Sequence, residues 1–247
     1  MGAIWTVLPS SHYVLLATLF FIGLELMFAL QRWVWPVLAI LFIVIASGVV
    51  LIKIEEHTRF HPTQAILPLL AAAGMTAFAL FLPGTALIHL YLAVASVVFY
   101  ILLKFAARTA YPTWNWVVSL LVLFLNLSVV LGWHFHLFIT LVFSLALAWA
   151  ATFLISWQAL RRVRSGRGVV ALMALVLSFV LTQILWVLQF TPLHFLIQAS
   201  FTAVLYYVSF HLLSISFERS LTRRDVWEFL GVGAAALVVL LGTAQWV

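Results

Sequence analysis

Apolar segments close to twenty residues long recur along the chain, and they constrain its fold more than any other feature. A helix of about twenty residues rises about 30 Å, which matches the hydrocarbon thickness of a bilayer. Only 7% of the residues are charged, whereas a soluble domain usually has about a quarter. A transmembrane β-barrel would show shorter strands of alternating polarity, and these segments do not alternate. The sequence therefore predicts an all-α, polytopic transmembrane helical bundle.

We predict about nine spans, which form a single integral membrane domain over residues 1–247. Most of them pair as helical hairpins that are closed by very short turns. The predicted spans cover residues 13–30, 33–52, 64–83, 86–103, 117–131, 137–160, 169–188, 193–215 and 228–246.

Turn and capping residues mark several ends of these spans. The run Pro83-Gly84-Thr85 predicts a tight turn, and the run from Gly132 to His136 predicts another. Thr191-Pro192 fits the start of the eighth span, because proline is favoured at the first position of a helix. Asp225 and Glu228 fit the N-cap and third position of the last helix, a capping box.

The basic residues predict the orientation of the chain. If every segment crosses, the loops after the second, fourth, sixth and eighth spans hold every lysine and arginine except Arg32. The positive-inside rule then places these loops and the N-terminus on the cytoplasmic side of the membrane. The predicted location is the inner (plasma) membrane. Anionic lipids are the predicted partners of these loops, and they explain the net charge of +6 better than nucleic acid does. The basic loop residues are Lys53, Arg59, Lys104, Arg108, Arg161, Arg162, Arg164, Arg167, Arg219, Arg223 and Arg224.

A layer of polar side chains is predicted near the outer ends of the spans. Glu25 is the only acidic residue inside a predicted span, and an ionised carboxylate without a partner costs several kcal/mol in lipid. We expect Glu25 to face the bundle interior or a watery cavity, with His89 as its partner. At comparable depth, counted at about 1.5 Å per residue, lie the other predicted ligand-binding residues, Asn126, Gln183, Gln198 and Thr202.

Two interpretations of this layer stay open. The polar groups line an outward-facing site for a small polar solute, an ion or a lipid headgroup, or they only hydrogen-bond one helix to another. Under the first interpretation, the protein is a binding or transport protein. One alternative is a non-catalytic scaffold subunit, since small-residue stripes such as Gly231 with Ala235 suit partner helices. Another is an intramembrane enzyme for a lipid-linked substrate, which requires titratable side chains that converge on one cavity.

No cofactor, metal site or catalytic residue is predicted. The chain has no cysteine, which excludes thiolate ligands and a nucleophilic thiol. His57 and His61 do not have the His-Glu-x-x-His pattern of zinc proteases, so we interpret their loop as a salt-bridged linker. Four histidines, His89, His134, His136 and His194, fall on the outer side, but their spacing on separate hairpins is not that of a metal site.

Overall fold

The computed structural model describes residues 11–29, 63–107, 112–161, 167–218 and 220–244, which form eight α-helices. A 3-10 turn, Ala79–Phe81, extends the second of them. In chain order the helices are α1 Ser11–Ala29, α2 Thr63–Phe78, α3 Thr85–Ala107, α4 Pro112–Leu137, α5 Leu141–Leu160, α6 Arg167–Leu188, α7 Phe195–Glu218 and α8 Arg223–Thr243.

Six of the described helices, α3 to α8, are long and apolar enough to cross a membrane. Shorter apolar stretches, Tyr13–Ala29 and Ile66–Phe81, lie in the first two helices. These helices indicate a multi-pass membrane protein of the predicted all-helical class. The number of about nine spans and the cytoplasmic N-terminus stay predictions, and the predicted span 33–52 lies outside the described residues.

Large apolar side chains form an exposed stripe along α3. The residues follow each other at intervals of three or four, the spacing of one helix face, and in water such a stripe would be costly. Acyl chains are as apolar as these side chains, so a membrane accommodates the stripe. It consists of Leu87, Leu90, Val94, Val97 and Ile101.

The contacts divide the chain into two compact units, Met1–Asn115 and Trp116–Val247. In the first unit, α1 and α2 both pack against α3. The rings of Phe20 and Phe99 meet at 4.5 Å, and the Tyr91 hydroxyl donates to the carbonyl of Met75 at 2.9 Å. The single membrane domain stays a prediction.

In the second unit, small residues bring α5 and α6 together. The sequence predicts one small-residue stripe at Ser144, Ala148 and Thr152 on α5 and another at Ala174, Ser178 and Thr182 on α6. All of these residues are buried except Thr182, which is half-buried. The two helices that carry them pack extensively against each other, as small residues allow. Helix α6 also packs against α7, and α7 against α8. Rings from α4 reach α7 at both ends, Trp116 to Tyr207 at 5.5 Å and Phe135 to Phe195 at 6.5 Å.

Two turns test the sequence predictions directly. Gly84 has φ +81°, a conformation that glycine adopts readily, and the predicted turn before α3 is confirmed. The turn predicted over Gly132 to His136 is wrong, because α4 continues through these residues to Leu137. The chain reverses instead at 138–140, where Phe138 has φ 53°.

The starts of α7 and α8 also differ from the predictions. Helix α7 begins at Phe195, and Thr191 Oγ1 donates to the carbonyl of Leu188 at 2.6 Å, so this threonine closes α6 rather than opening α7. The capping box of α8 is formed by Thr222 and Asp225, three residues before the predicted pair. A threonine N-cap is preferred here because its hydroxyl accepts from the backbone of Asp225 while the Asp225 carboxylate accepts in return.

Most of the predicted basic loops, including 53–61 and 162–166, lie outside the described residues. Arg161 is described, and its guanidinium carbon lies 5.4 Å from the centre of the Trp157 ring, a cation–π contact.

Candidate ligand-binding site

Glu25 and His89 meet between α1 and α3. The Nδ1 atom of His89 lies 3.1 Å from one carboxylate oxygen of Glu25 and 3.0 Å from the other. A carboxylate oxygen only accepts, so the shared proton belongs to Nδ1 when the carboxylate is ionised. The partner that the sequence predicted for Glu25 is therefore present at hydrogen-bond distance.

The helix ends place these two side chains together. Glu25 lies one turn before the end of α1, and His89 lies one turn after the start of α3, each about 6 Å from its helix end. Because the pairs Glu25 with His89 and Phe20 with Phe99 run in opposite directions along the two helices, α1 and α3 are antiparallel. Two residues far apart in sequence thus reach the same height.

The pair is accessible from the protein surface. The side chain of Glu25 is 31% exposed and that of His89 is 58% exposed. Nδ1 faces Glu25, and the second ring nitrogen, Nε2, lies on the other side of the imidazole. An acid and an imidazole in this arrangement can bind a charged group or move a proton.

Gln198, in the second unit, is part of the α6–α7 connection. Its side chain is fully buried, its Nε2 donates to the carbonyl of Leu193 at 2.9 Å, and its Oε1 accepts from Gln189 Nε2 at 2.7 Å. No role for Gln189 is predicted from the sequence. The two glutamines, nine residues apart across a tight connection, tie the end of α6 to the start of α7.

The other three predicted residues differ in what their side chains face. Asn126 and Thr202 are buried, and each donates to the carbonyl four residues earlier in its own helix, Val122 and Gln198 respectively. Gln183 is exposed on α6 and lines a groove of about 170 Å³ with neighbours such as Trp186. Their participation in one ligand site with Glu25 stays a prediction.

Three of the predicted outer histidines lie at the same end of the second unit. His134 Nδ1 donates to the carbonyl of Ile139 at 2.7 Å and so stabilises the turn after α4. His136 and His194 both contact the ring of Phe195, at 5.5 and 4.3 Å between centroids. Within the described ranges, no group of three or more histidine, cysteine or acidic residues is arranged to hold a metal ion.

Aromatic rings enclose His211 on α7, a feature that was not predicted from the sequence. Its imidazole stacks on Phe229 of α8 at 5.1 Å with an interplanar angle of 5°. The rings of Trp116 and Tyr207 make T-shaped contacts with it at 5.0 and 4.7 Å. The spacing of four between Tyr207 and His211 was the only available signal in the sequence. Contacts with α4 and α8 cannot be read from spacing within one helix.

Comparison of the chain with protein-family models, with curated proteins and with solved structures finds no match.

Proposed function

We propose that this multi-pass membrane protein binds a polar ligand at the Glu25–His89 pair and that the site opens to the outside of the cell. The ligand is a small polar solute, an ion or a lipid headgroup, and transport is the natural extension of such binding. The observation that carries the proposal is the contact at 3.0–3.1 Å between an acid and an imidazole that both remain partly exposed.

A purely structural pair would be expected to be enclosed. Polar groups that only hold helices together in a membrane gain most when lipid and water are both excluded from them. Other hydroxyl groups of the described helices are enclosed: Thr76, Thr152 and Ser178 are each buried and donate to a backbone carbonyl of their own helix. The exposure of Glu25 and His89 supports a functional role, which intramembrane acids commonly have.

Each member of the pair has a separate role in this proposal. Glu25 is the carboxylate that responds to protons or cations, and His89 is its hydrogen-bonding partner. Gln183 adds a contact to the ligand through its exposed amide. Three other side chains contact the ligand only if they break their present hydrogen bonds, namely those of Asn126, Gln198 and Thr202. Anionic lipids contact the basic cytoplasmic loops, and the location is the inner (plasma) membrane.

Accessibility of single cysteines tests the site. The chain has no cysteine of its own, so Glu25→Cys and His89→Cys each give one reactive thiol. A membrane-impermeant maleimide added to intact cells should label both. Val94→Cys is the matched control, because Val94 is exposed on the same helix but farther from its end, and its thiol should stay unlabelled.

Each labelling result has a definite meaning. Labelling of Glu25→Cys and His89→Cys from outside supports a site with aqueous access. Absence of labelling in protein that is inserted and folded contradicts the proposal, since a polar ligand could not then reach the pair. Labelling only in inside-out vesicles contradicts the proposed orientation.

A scaffold role is the second candidate, and α8 favours it. The small-residue stripes of α5 and α6 are largely buried within their unit, whereas Gly231 and Ala235 on α8 are exposed. A Cβ atom at Gly231 would meet nothing within 4 Å, and α8 is the least buried of the six long helices. An exposed stripe of this kind suits a partner helix.

Bulky substitutions on the stripe test the scaffold role. Gly231→Leu with Ala235→Leu should reduce the size of the assembly on a native gel of gently solubilised membranes. The control is Val232→Leu, an exposed position beside the stripe. An unchanged size in the double variant would contradict the scaffold role.

A further inference from the structure

A groove of about 580 Å³ runs along the seam between α1 and α3. Its walls are almost entirely apolar. The residues that define it are Val14, Thr18 and Phe21 on α1 and Ala93, Val97 and Tyr100 on α3.

Two aliphatic hydroxyl groups along the groove, those of Thr18 and Ser96, are bonded within their own helices. Thr18 Oγ1 donates to the carbonyl of Val14 at 2.9 Å, and Ser96 Oγ donates to the carbonyl of Leu92 at 2.8 Å. Neither hydroxyl proton is therefore available to a ligand in the groove. The chemistry of this groove suits a hydrocarbon chain.

The Glu25–His89 pair lies one helical turn beyond Phe21 and Ala93, the lining residues at one end of this groove. Along α1, Val14, Thr18, Phe21 and Glu25 follow each other at helical spacing on one face, and along α3 the matching series runs from Tyr100 to His89 in the opposite direction. From Val14 to Glu25 the helix rises roughly 16 Å. An apolar groove is thus followed, one turn nearer the helix ends, by a polar pair. A lipid has the same order of parts, with acyl chains in the membrane and a polar headgroup at its surface.

We propose that this groove and the Glu25–His89 pair bind one phospholipid with an ethanolamine headgroup, an inference that rests on the proposed function and names its ligand. One acyl chain occupies the groove. The primary ammonium of the headgroup donates to the Glu25 carboxylate, and the phosphate accepts from His89 Nε2. An imidazole that donates through both nitrogens is positively charged, so the pair offers one charge of each sign to a headgroup that has one of each.

This charge pattern distinguishes the ethanolamine headgroup from the glycerol and choline headgroups. Phosphatidylglycerol has a phosphate but no cation for Glu25. Phosphatidylcholine has a cation, but its trimethylammonium group has no N–H to donate. Selectivity among lipids with identical acyl chains therefore reports on the headgroup contacts alone.

Native mass spectrometry of the full-length protein in a mild detergent tests the inference. Dioleoyl phosphatidylethanolamine, phosphatidylglycerol and phosphatidylcholine are added at equal concentrations. We expect the ethanolamine lipid to be retained about tenfold more than the other two, the effect of about 1.4 kcal/mol. Glu25→Gln should remove this preference while leaving some binding of all three lipids through their chains.

Two further variants separate the groove from the pair. Val97→Phe places a ring in the groove and should reduce retention of all three lipids without changing their order of preference. Val94→Phe is the matched control, since Val94 is equally exposed on α3 but does not line the groove. Equal loss in both variants would overturn the assignment of the groove.

The failure of this inference is distinguishable from failure of the proposed function. Equal or greater retention of phosphatidylglycerol by the native protein, or no retention of any lipid, overturns the inference. If His89→Cys is still labelled from outside in that case, a polar ligand of another class remains the proposed function. If His89→Cys is not reached, both proposals fail.

Discussion

Gly233 of α8 lies so close to Val208 of α7 that a Cβ atom on this glycine would be 2.5 Å from Val208 Cγ2. Real atoms do not approach this closely, so the two helices depend on the absence of a side chain at this position. Gly231, two residues earlier on the same helix, has nothing within 4 Å of the equivalent point. The two glycines therefore have different structural roles in one helix.

Gly233→Ala should destabilise the protein by about 1–3 kcal/mol, because the β-branched Val208 has few rotamers into which it can move. The measurement is an unfolding titration with SDS in mixed micelles. Gly231→Ala is the control and should be neutral or slightly stabilising, since alanine has the higher helix propensity. Val208→Ala combined with Gly233→Ala should recover part of the loss, and the absence of any recovery would show that this contact is not the cause.

Gln198→Leu should destabilise the α6–α7 connection by about 1–3 kcal/mol. The substitution removes the acceptor of the half-buried Gln189 amide, which keeps only its 3.5 Å contact with the carbonyl of Leu185, and it removes the side-chain donor to the carbonyl of Leu193. The same SDS titration measures it. Gln183→Leu makes the same chemical change at an exposed position of α6 and should have little effect, so equal losses would contradict a structural role for Gln198.

Tyr91→Phe should weaken the packing of α2 on α3 by about 0.5–1.5 kcal/mol. The Tyr91 hydroxyl donates to the carbonyl of Met75 near the C-terminal end of α2, and the variant loses this hydrogen bond between the two helices. The ring contact with Phe78 at 5.7 Å is retained in the variant. Tyr207→Phe is a suitable control, because its hydroxyl makes no hydrogen bond with the described residues; a larger effect there would refute this assignment.

Thr222→Ala should cost about 0.5–2 kcal/mol through the loss of the N-cap of α8. Fraying of the first turn should be visible as faster amide hydrogen exchange at 223–226. Glu228→Ala is the comparison, since Glu228 belongs to the capping box that the sequence alone suggested. If Glu228→Ala frayed the helix and Thr222→Ala did not, the observed cap would be incorrect.

Part of the candidate site was predictable because its energetics are local. An acid within an apolar segment needs a partner wherever the segment packs, and counting residues from the predicted helix ends placed His89 at a similar height. The same depth count included Gln198, but it could not show that Gln198 faces Gln189 in a closed connection. Depth along a helix is a property of the sequence, whereas the direction of a side chain around the helix depends on its neighbours.

The turns also separate what the local sequence predicts from what depends on the tertiary structure. Glycine at 84 marks a turn because the positive φ there is accessible to glycine without strain. The reversal after α4 occurs at Phe138, a residue that strongly disfavours positive φ, and no local signal predicts it. The hydrogen bond from His134 to Ile139 contributes to stabilising that turn.

The sequence by itself determined that the chain is helical, that it belongs in a membrane and that Glu25 requires a partner, because transfer energies and helix rise apply to each segment independently. Only the tertiary structure decided that His89 meets both oxygens of Glu25, that an apolar groove leads away from this pair, and that Gly233 admits Val208. These features depend on how each helix is rotated about its axis, and that rotation is fixed by close packing between helices.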